Sequence, residues 1–545
     1  MKLIIETDVM ATMRDGVKLA ADIYRPDDNK RYPVLLSRLP YNKTYSFDFM
    51  RPHILASQGY IVILQDVRGR YASEGVFEGP YIAEQTDGYD TVEWAATLPY
   101  SDGKVGMLGL SYFGYTQMLA AMTQPPHLTA IAPTMSQNSF TEVSQDHNGA
   151  TELSMWQTWS LESIAANLLE RTYTDPEELA KKRLILQNNI TNIPYTYDSY
   201  PYGQWQPITS LFPDFYLFDM YRKPLTDPFW DKITVKNQYE KVKTPALHIA
   251  GWYDCFLKGT LENFKNGQQQ GLGDQLIIGP WVHGDFSARS GELYYGEQAR
   301  AELYRWHIEW FNHQLKGLPL MDSTPVRYFT MGTNEWHSAT TWPPANTKEK
   351  RYYLNRRELV LERSASESSL SYEHDPKSPV RTRGGVTFMH GLEVEGPKEQ
   401  LPITSLKDTL SFETESLKEP LNVTGNVRVL LEVSTDATSV DFTAKLSDVY
   451  PDGTAYNLTD DIVRIKHVNK NERFTVEIEL WGTSNVFLEG HRLRLDIASS
   501  NFPRFDVNPG TGGSFFDSTE TVVSKQTVYV GGNNISQVIL PIVTF

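Results

Sequence analysis

The chain has 545 residues, with 51 Lys and Arg against 67 Asp and Glu, for a formal net charge of −16 at pH 7. At ~150 residues per domain that length allows three or four domains, and so acidic a surface repels phosphate backbones, so no nucleic-acid partner is expected. Hydrophobic residues at 40% and charged residues at 22% exclude a largely disordered chain, and a single cysteine, Cys255, excludes a disulfide framework and any multi-cysteine zinc or iron–sulfur centre.

The first residues carry only Leu3-Ile4-Ile5 before Glu6 and Asp8, far short of the ~7–15 apolar residues of an export signal. No run approaches the ~20 apolar residues of a membrane span. A cytoplasmic protein with no membrane contact is expected. VMATM and VKLAADIY alternate around Arg14-Asp15-Gly16 and read as a hairpin, since Asp-Gly is a favoured tight-turn pair. A short buried strand at Val34-Leu35-Leu36, a helical stretch around HILASQGY and the strand YIVILQDV follow. Then come a helix from about residue 86 to 97 with Val92 and Trp94 on its apolar side, the strand KVGMLGL, and the helix SYFGYTQMLAAMTQ, stopped by Pro125-Pro126. Strands alternating with helices at this spacing predict a mostly parallel sheet with right-handed crossovers.

That rhythm lapses over residues 140–235, where helical stretches (LSMWQTWSLESIAANLLE, DPEELAKKRLILQNN) are joined by aromatic, proline-rich segments. It resumes at PALHIAGWYD and QLIIGPWVH, and a helix from about Gln298 to Leu315 closes this part. The interruption reads as a cap inserted between two strands of one sheet. Past Pro325 the segments VRVLLEVS, VDFTAKLSDV, RFTVEIEL, HRLRLDIA, QTVYV and QVILPIVT are short, alternating and β-branched, several of them separated by turn clusters such as PDGT and GGNN. They predict an all-β jelly-roll sandwich. The expected division is therefore 1–139 with 236–322 for the α/β domain, 140–235 for the helical cap and 323–545 for the sandwich.

Gly109-Leu110-Ser111-Tyr112-Phe113-Gly114 lies where a buried strand meets a helix. A Gly two residues before a Ser at such a turn is the nucleophile-elbow pattern: small neighbours let the chain turn tightly and lift Ser111 Oγ above the sheet edge. The N–H of Tyr112 would then point from a helix N-terminus, where negative charge is favoured. The second Gly stands one place later than in G-x-S-x-G, and a plain helix start packed on a strand is the alternative. A serine nucleophile needs a base and an orienting acid, which in this fold follow in the order Ser, Asp, His. Asp254 ends one late apolar run and His283 ends the next, at strand ends where sites in open α/β sheets collect. His248 lies inside a strand, His307 and His313 ride the closing helix, and His491 sits at a strand start, so each has a packing or surface explanation. Asp274 and Asp285 also lie close by, and Asp274, in a Gly-rich turn, reads as solvated.

These residues and their surroundings resemble the cocaine esterase / X-prolyl dipeptidyl-peptidase family of serine hydrolases, which includes α-amino acid ester hydrolases and some cephalosporin acylases. The likeness runs nearly end to end, through RDGVKLAADIYRP, SRLPYNK, QDVRGRYASEG, DGYDTVEWAATLPYSDGKVGMLGLSYFG, AGWYDCFLKGT, GPWVHG, VRYFTMG and GHRLRLDIASSNFPRFDVNPGTG. The family carries G-x-S-Y-x-G at its nucleophile, which accounts for the late Gly114. The resemblance implies an α/β-hydrolase domain, a helical cap and a C-terminal jelly roll. It implies Ser111 as nucleophile, Asp254 as triad acid, His283 as base, and Tyr41 as the phenol completing the oxyanion hole with the N–H of Tyr112. From the residues alone Tyr41 is one of 30 tyrosines, though a neutral phenol suits the task.

The expected activity is hydrolysis of small ester, or amide, substrates through an acyl-enzyme, with no cofactor and no metal. The aromatic cap residues Trp156, Trp159, Phe212, Phe215 and Tyr216 are compatible with an aromatic acyl pocket and equally with core packing. The alternatives are an X-Pro dipeptidyl aminopeptidase or an α-amino acid ester hydrolase/β-lactam acylase. Those would grip a substrate ammonium, for which Glu142, Asp146 and Glu152 are candidates, a surface helix face being the simpler explanation. An alternative of another class is a non-catalytic binding protein with a relic hydrolase domain. Asp66, Arg68, Arg70 and Glu74 read as a structural loop with internal ion pairs, with the pocket wall as a second reading. Trp252 and Trp281 read as packing around the triad, and Cys255, beside a carboxylate, is not expected to be a nucleophile. Oligomeric state is open, a homo-oligomer included.

Overall fold

The strand Ile61–Asp66 (β4) is buried along its whole length, and its alternate residues serve two separate cores. Ile61 and Ile63 pack in one cluster with Val92 and Ala95 of the helix Glu84–Ala96 and with Met118 and Leu119 of the helix Tyr112–Met122. Val62 and Leu64 pack in the other with Leu55, Trp310 and Phe311. Burial on both faces is why such a strand reads as an unbroken apolar run. This computed structural model describes residues 2–141, 149–198, 201–388, 395–513 and 516–544.

The same sheet contains Leu3–Thr12 (β1), Lys18–Pro26 (β2), Tyr32–Leu39 (β3), Ser101–Leu110 (β5), Leu128–Thr134 (β6), Leu247–Tyr253 (β7) and Gln275–Val282 (β8). Their order is β1-β2-β4-β3-β5-β6-β7-β8. The hairpin strands run antiparallel, and β4 through β8 are parallel to one another. β6 was not expected as a strand. Its sequence, Leu-Thr-Ala-Ile-Ala-Pro-Thr, is alanine-rich and holds Pro133, and both features count against a strand. Burial between β5 and β7 overrides that propensity.

Two further strands join this sheet. Val326–Thr330 lies parallel to β8 and Glu335–Ala339 pairs with it in turn, so the first sheet has 10 strands and extends past residue 323. Short β-branched strands look alike in sequence whichever sheet they join. The closing helix also starts later than expected, at Leu303, after a short 3-10 turn at Glu297–Ala299.

The cap begins with Leu153–Trp159, widens into a π-helical turn at Ser160–Ala165, and continues as Ala166–Thr172. Its longest helix, Pro176–Thr196, opens with Asp175 accepting from the Glu177 N–H and with Pro at the first position. From Lys348 onward the described residues form an 11-stranded sheet, with one short 3-10 turn at Ile403–Ser405. In Leu421–Thr435, Val427, Val429, Leu431 and Val433 are buried while the residues between them are not, the period of two expected of a sandwich strand. The architecture is that of an α/β-hydrolase domain with an inserted helical cap and a C-terminal jelly-roll sandwich. No helix of the described residues is long and apolar enough to cross a membrane.

Candidate active site

Ser111 sits between β5 and the helix Tyr112–Met122 with φ 59° and ψ −123°. A side-chain-bearing residue takes this conformation only under constraint. The constraint is visible around it. Ser111 N–H donates to the Thr134 carbonyl at 3.0 Å, and its own carbonyl accepts from Gly114 and Tyr115. A Cβ on Gly109 would stand 2.4 Å from the Phe113 carbonyl oxygen, and one on Gly114 3.0 Å from the Thr134 carbonyl oxygen. Both glycines are therefore required by close approach of backbone, and the late second Gly of the motif is the one that lets the helix seat against β6.

Tyr112 is buried and fixed at its far end, its hydroxyl bonding Glu84 Oε1 at 3.2 Å and accepting from the Tyr81 N–H at 3.0 Å. Glu84 in turn pairs with the buried Arg38 at 2.5 Å. This network holds the first residue of the helix, whose N–H belongs to the open helix N-terminus.

β7 and β8 bring the other two predicted residues together. Asp254 follows β7 and is fully buried; His283 follows β8, and its Nδ1 lies 2.6 Å from Asp254 Oδ1. Ser111 and His283 line one cavity with Tyr41, Tyr81, Met155, Trp156, Trp159, Cys255, Phe256 and Phe388. Burial pulls the His283 pKa down, but the bond and charge of Asp254, with the charge of Glu395, outweigh this and hold it above its ordinary value. Glu395 is itself pushed up to about 7 by burial, against the opposing pull of His283.

Tyr41 reaches the cavity from the segment after β3. Its hydroxyl accepts from the Trp159 indole N–H at 2.8 Å, and Tyr41 shares the cavity wall with Ser111. Burial pushes this phenol well above its usual range, so it stays neutral and retains its proton. Cys255 lies with Sγ 3.9 Å from Asp254 Oδ1, and burial together with that carboxylate raises the thiol far up. Asp254, Cys255 and His283 bring potential ligand atoms within 4.8 Å of one another. They do not fit a metal: the short Asp–His bond occupies two of them and the third is a protonated thiol.

The chain can be matched to known families. Residues 15–285 match the family profile described as X-Pro dipeptidyl-peptidase (S15 family). Residues 320–539 match that of the X-Pro dipeptidyl-peptidase C-terminal non-catalytic domain. The chain is 34% identical over 573 aligned residues to cocaine esterase from Rhodococcus sp. (strain MB1 Bresler), covering 99% of this chain and 98% of that protein. It belongs to this family of serine hydrolases. Two solved structures share the fold across the chain. One is an aminopeptidase from a marine sediment Thaumarchaeota archaeon (TM-score 0.82, 24% identity, 99% of this chain and 97% of that one). The other is a CocE/NonD family hydrolase from Staphylococcus aureus (TM-score 0.72, 21% identity, 100% and 94%). The chain is accordingly a serine hydrolase.

Several expectations about neighbouring residues need correction. Asp274 is buried rather than solvated: its carboxylate accepts from the Ala246 N–H at 3.0 Å and lies 3.2 Å from His248 Nε2. Glu152 is not on a surface helix face. It is buried, its Oε1 lies 3.1 Å from Arg504 Nε, and burial pushes its carboxyl up to about 7. Glu142 and Asp146 lie outside the described residues. The loop around Asp66 forms ion pairs, but outward ones: Arg68 to Asp15 and Asp87, and Asp66 to Lys43. Of the five aromatic cap residues, Trp156 and Trp159 line the cavity, while Phe212, Phe215 and Tyr216 stack on one another. Trp252 and Trp281 are packing residues whose indole N–H groups reach the Phe329 and Ala299 carbonyls. Sequence reasoning missed Tyr81, Met155, Phe256 and Phe388 as cavity walls. Phe256 was findable from its place two residues after Asp254; Phe388, which packs 5.8 Å from the His283 ring, carries no local signal.

Proposed function

We propose that the chain hydrolyses small esters with a compact apolar or aromatic acyl group, with Ser111 as nucleophile, His283 as general base, Asp254 as orienting acid, and Tyr41 Oη with the Tyr112 N–H as oxyanion donors. The observation that carries this reading is the 2.6 Å Asp254–His283 bond opening onto the same aromatic-walled cavity as a serine held at φ 59°. Ser111 Oγ attacks the ester carbonyl as His283 Nε2 takes its proton. Asp254 holds the imidazole by Nδ1–H and stabilises the imidazolium. Tyr41 and the Tyr112 N–H donate to the oxyanion; His283 then protonates the leaving alcohol. Water repeats the cycle on the acyl-enzyme and regenerates Ser111.

The cavity walls support a neutral substrate. None of the ten described residues lining it is a carboxylate, and Glu152, one candidate for gripping an ammonium, is already bound to Arg504. A fluorophosphonate probe should label Ser111, and Ser111→Ala should abolish both labelling and turnover of a neutral arylester. On the same preparation an X-Pro anilide and an amino-acid ester should be turned over far more slowly. Wild-type ester turnover by Ser111→Ala would overturn the assignment, and faster cleavage of the anilide would overturn the substrate class.

A further inference from the structure

Arg70 is fully buried, and its guanidinium donates to three backbone carbonyls: Nε to Pro40 at 2.9 Å, Nη1 to Ile164 at 3.1 Å and Nη2 to Ser163 at 3.3 Å. The rings of Tyr71 and Phe77 each lie 5.3 Å from its central carbon. Among the described residues it has no carboxylate within ion-pair distance, whereas the neighbouring Arg68 has two. A buried cation is normally paired, because desolvation is costly and carbonyl dipoles repay it only in part. An arginine kept in this state calls for an explanation beyond packing.

The carbonyls it chooses supply one. Pro40 directly precedes Tyr41. Ser163 and Ile164 belong to the π-helical turn Ser160–Ala165, which directly follows Trp159. Trp159 is the residue whose indole N–H donates to the Tyr41 hydroxyl at 2.8 Å. One short piece of the cap thus holds Tyr41 twice, by its phenol through Trp159 and by its backbone through Arg70. We propose that Arg70 is a positioning residue of the oxyanion hole: it locks the Tyr41 segment onto the cap turn bearing Trp159. This inference rests on the reading of Tyr41 as an oxyanion donor.

The chemistry follows from the donor sequence. With the Trp159 N–H filling one acceptor position of the phenol oxygen, the Tyr41 O–H is turned to the Ser111 side, and accepting that bond strengthens it as a donor. Arg70 touches neither substrate nor triad, so its effect travels through Tyr41.

The test is a double-mutant cycle on the full-length enzyme, with one neutral arylester as substrate and an arylboronic acid as probe of the tetrahedral anion. Arg70→Met should lower kcat by about 10–100-fold and weaken the boronate by a similar factor, with KM changed less than about threefold. In a Tyr41→Phe background the same substitution should cost less than about threefold, because the donor it positions is gone. Arg70→Lys, which keeps the charge but not the three-way fork, should recover part of the loss. Equal losses in both backgrounds, or an effect on KM alone, would overturn the proposal. If Arg70→Met does not fold, the cycle is run with Arg70→Lys, and additivity there overturns it equally. Fluorophosphonate labelling of Ser111 is measured on every variant: failure to label the wild type sinks the active-site reading itself, whereas intact labelling with additive kcat losses sinks only the role of Arg70.

Discussion

β7 and β8 carry an Asp–His pair at each end, and the two pairs differ in what surrounds them. At the carboxyl ends Asp254 and His283 meet at 2.6 Å beside the Ser111 elbow. At the amino ends His248 and Asp274 meet at 3.2 Å, both buried, with Asp274 also capping the Ala246 N–H. The residue types are the same and so are the strands. A third pair, Asp448 with His491 at 2.8 Å, lies in the sandwich. What separates the first pair is a constrained serine, an aromatic cavity and the proposed oxyanion donors beside it. An Asp–His contact alone is a way to bury two polar groups; it becomes an acid–base device when a nucleophile shares its cavity.

The comparison can be broken by substitution. Ser111→Ala should cost about 10⁶ in kcat, with the fold intact by circular dichroism. Asp254→Asn should cost about 10⁴ in kcat through loss of the oriented tautomer, while Asp274→Asn, the same change at the other end of the strands, should leave kcat within about twofold; equal losses would erase the distinction. Tyr41→Phe should lose about 10²–10³ in kcat, the worth of one oxyanion donor, with KM nearly unchanged. Asp274→Asn should instead appear in thermal unfolding, as a loss of about 1–3 kcal/mol from its buried hydrogen bonds.

The smallest effect sharpens the electrostatics. His283 must be neutral to accept the serine proton. Since Asp254 and Glu395 raise its pKa, the acid limb of kcat/KM should lie above the ordinary histidine value of about 6.5. Glu395→Gln removes one of those negative charges, lowers the His283 pKa and moves the limb to lower pH by less than about one unit. Because the Glu395 carboxyl itself titrates at about 7, the wild-type limb belongs to the pair. An unchanged limb in the variant would remove Glu395 from the account.

Much of the site was legible because its signals are local. The elbow needs Gly109 for steric reasons confined to a few residues, and Asp254 and His283 each end an apolar run that period and composition identify as a strand. Tyr41 was reachable only through resemblance, since nothing in Leu-Pro-Tyr-Asn-Lys marks one tyrosine among 30. The errors share a cause. Asp274 was read from its Gly-rich turn, yet the strand beside it supplies His248. Glu152 was read from its helix, yet the sandwich supplies Arg504. In both cases the partner lies outside the window in which sequence patterns operate.

The order of most strands and helices, the elbow and the strand-end position of each proposed triad residue are set by the sequence alone, because turn sterics and hydrophobic period act over a few neighbouring residues. Which Asp–His pair faces a nucleophile, which sheet receives Val326–Thr330, and the joining of Tyr41, Trp159 and Arg70 across the cap were decided by tertiary structure. Those outcomes depend on contacts between segments up to hundreds of residues apart, fixed by how faces pack rather than by what each segment prefers on its own.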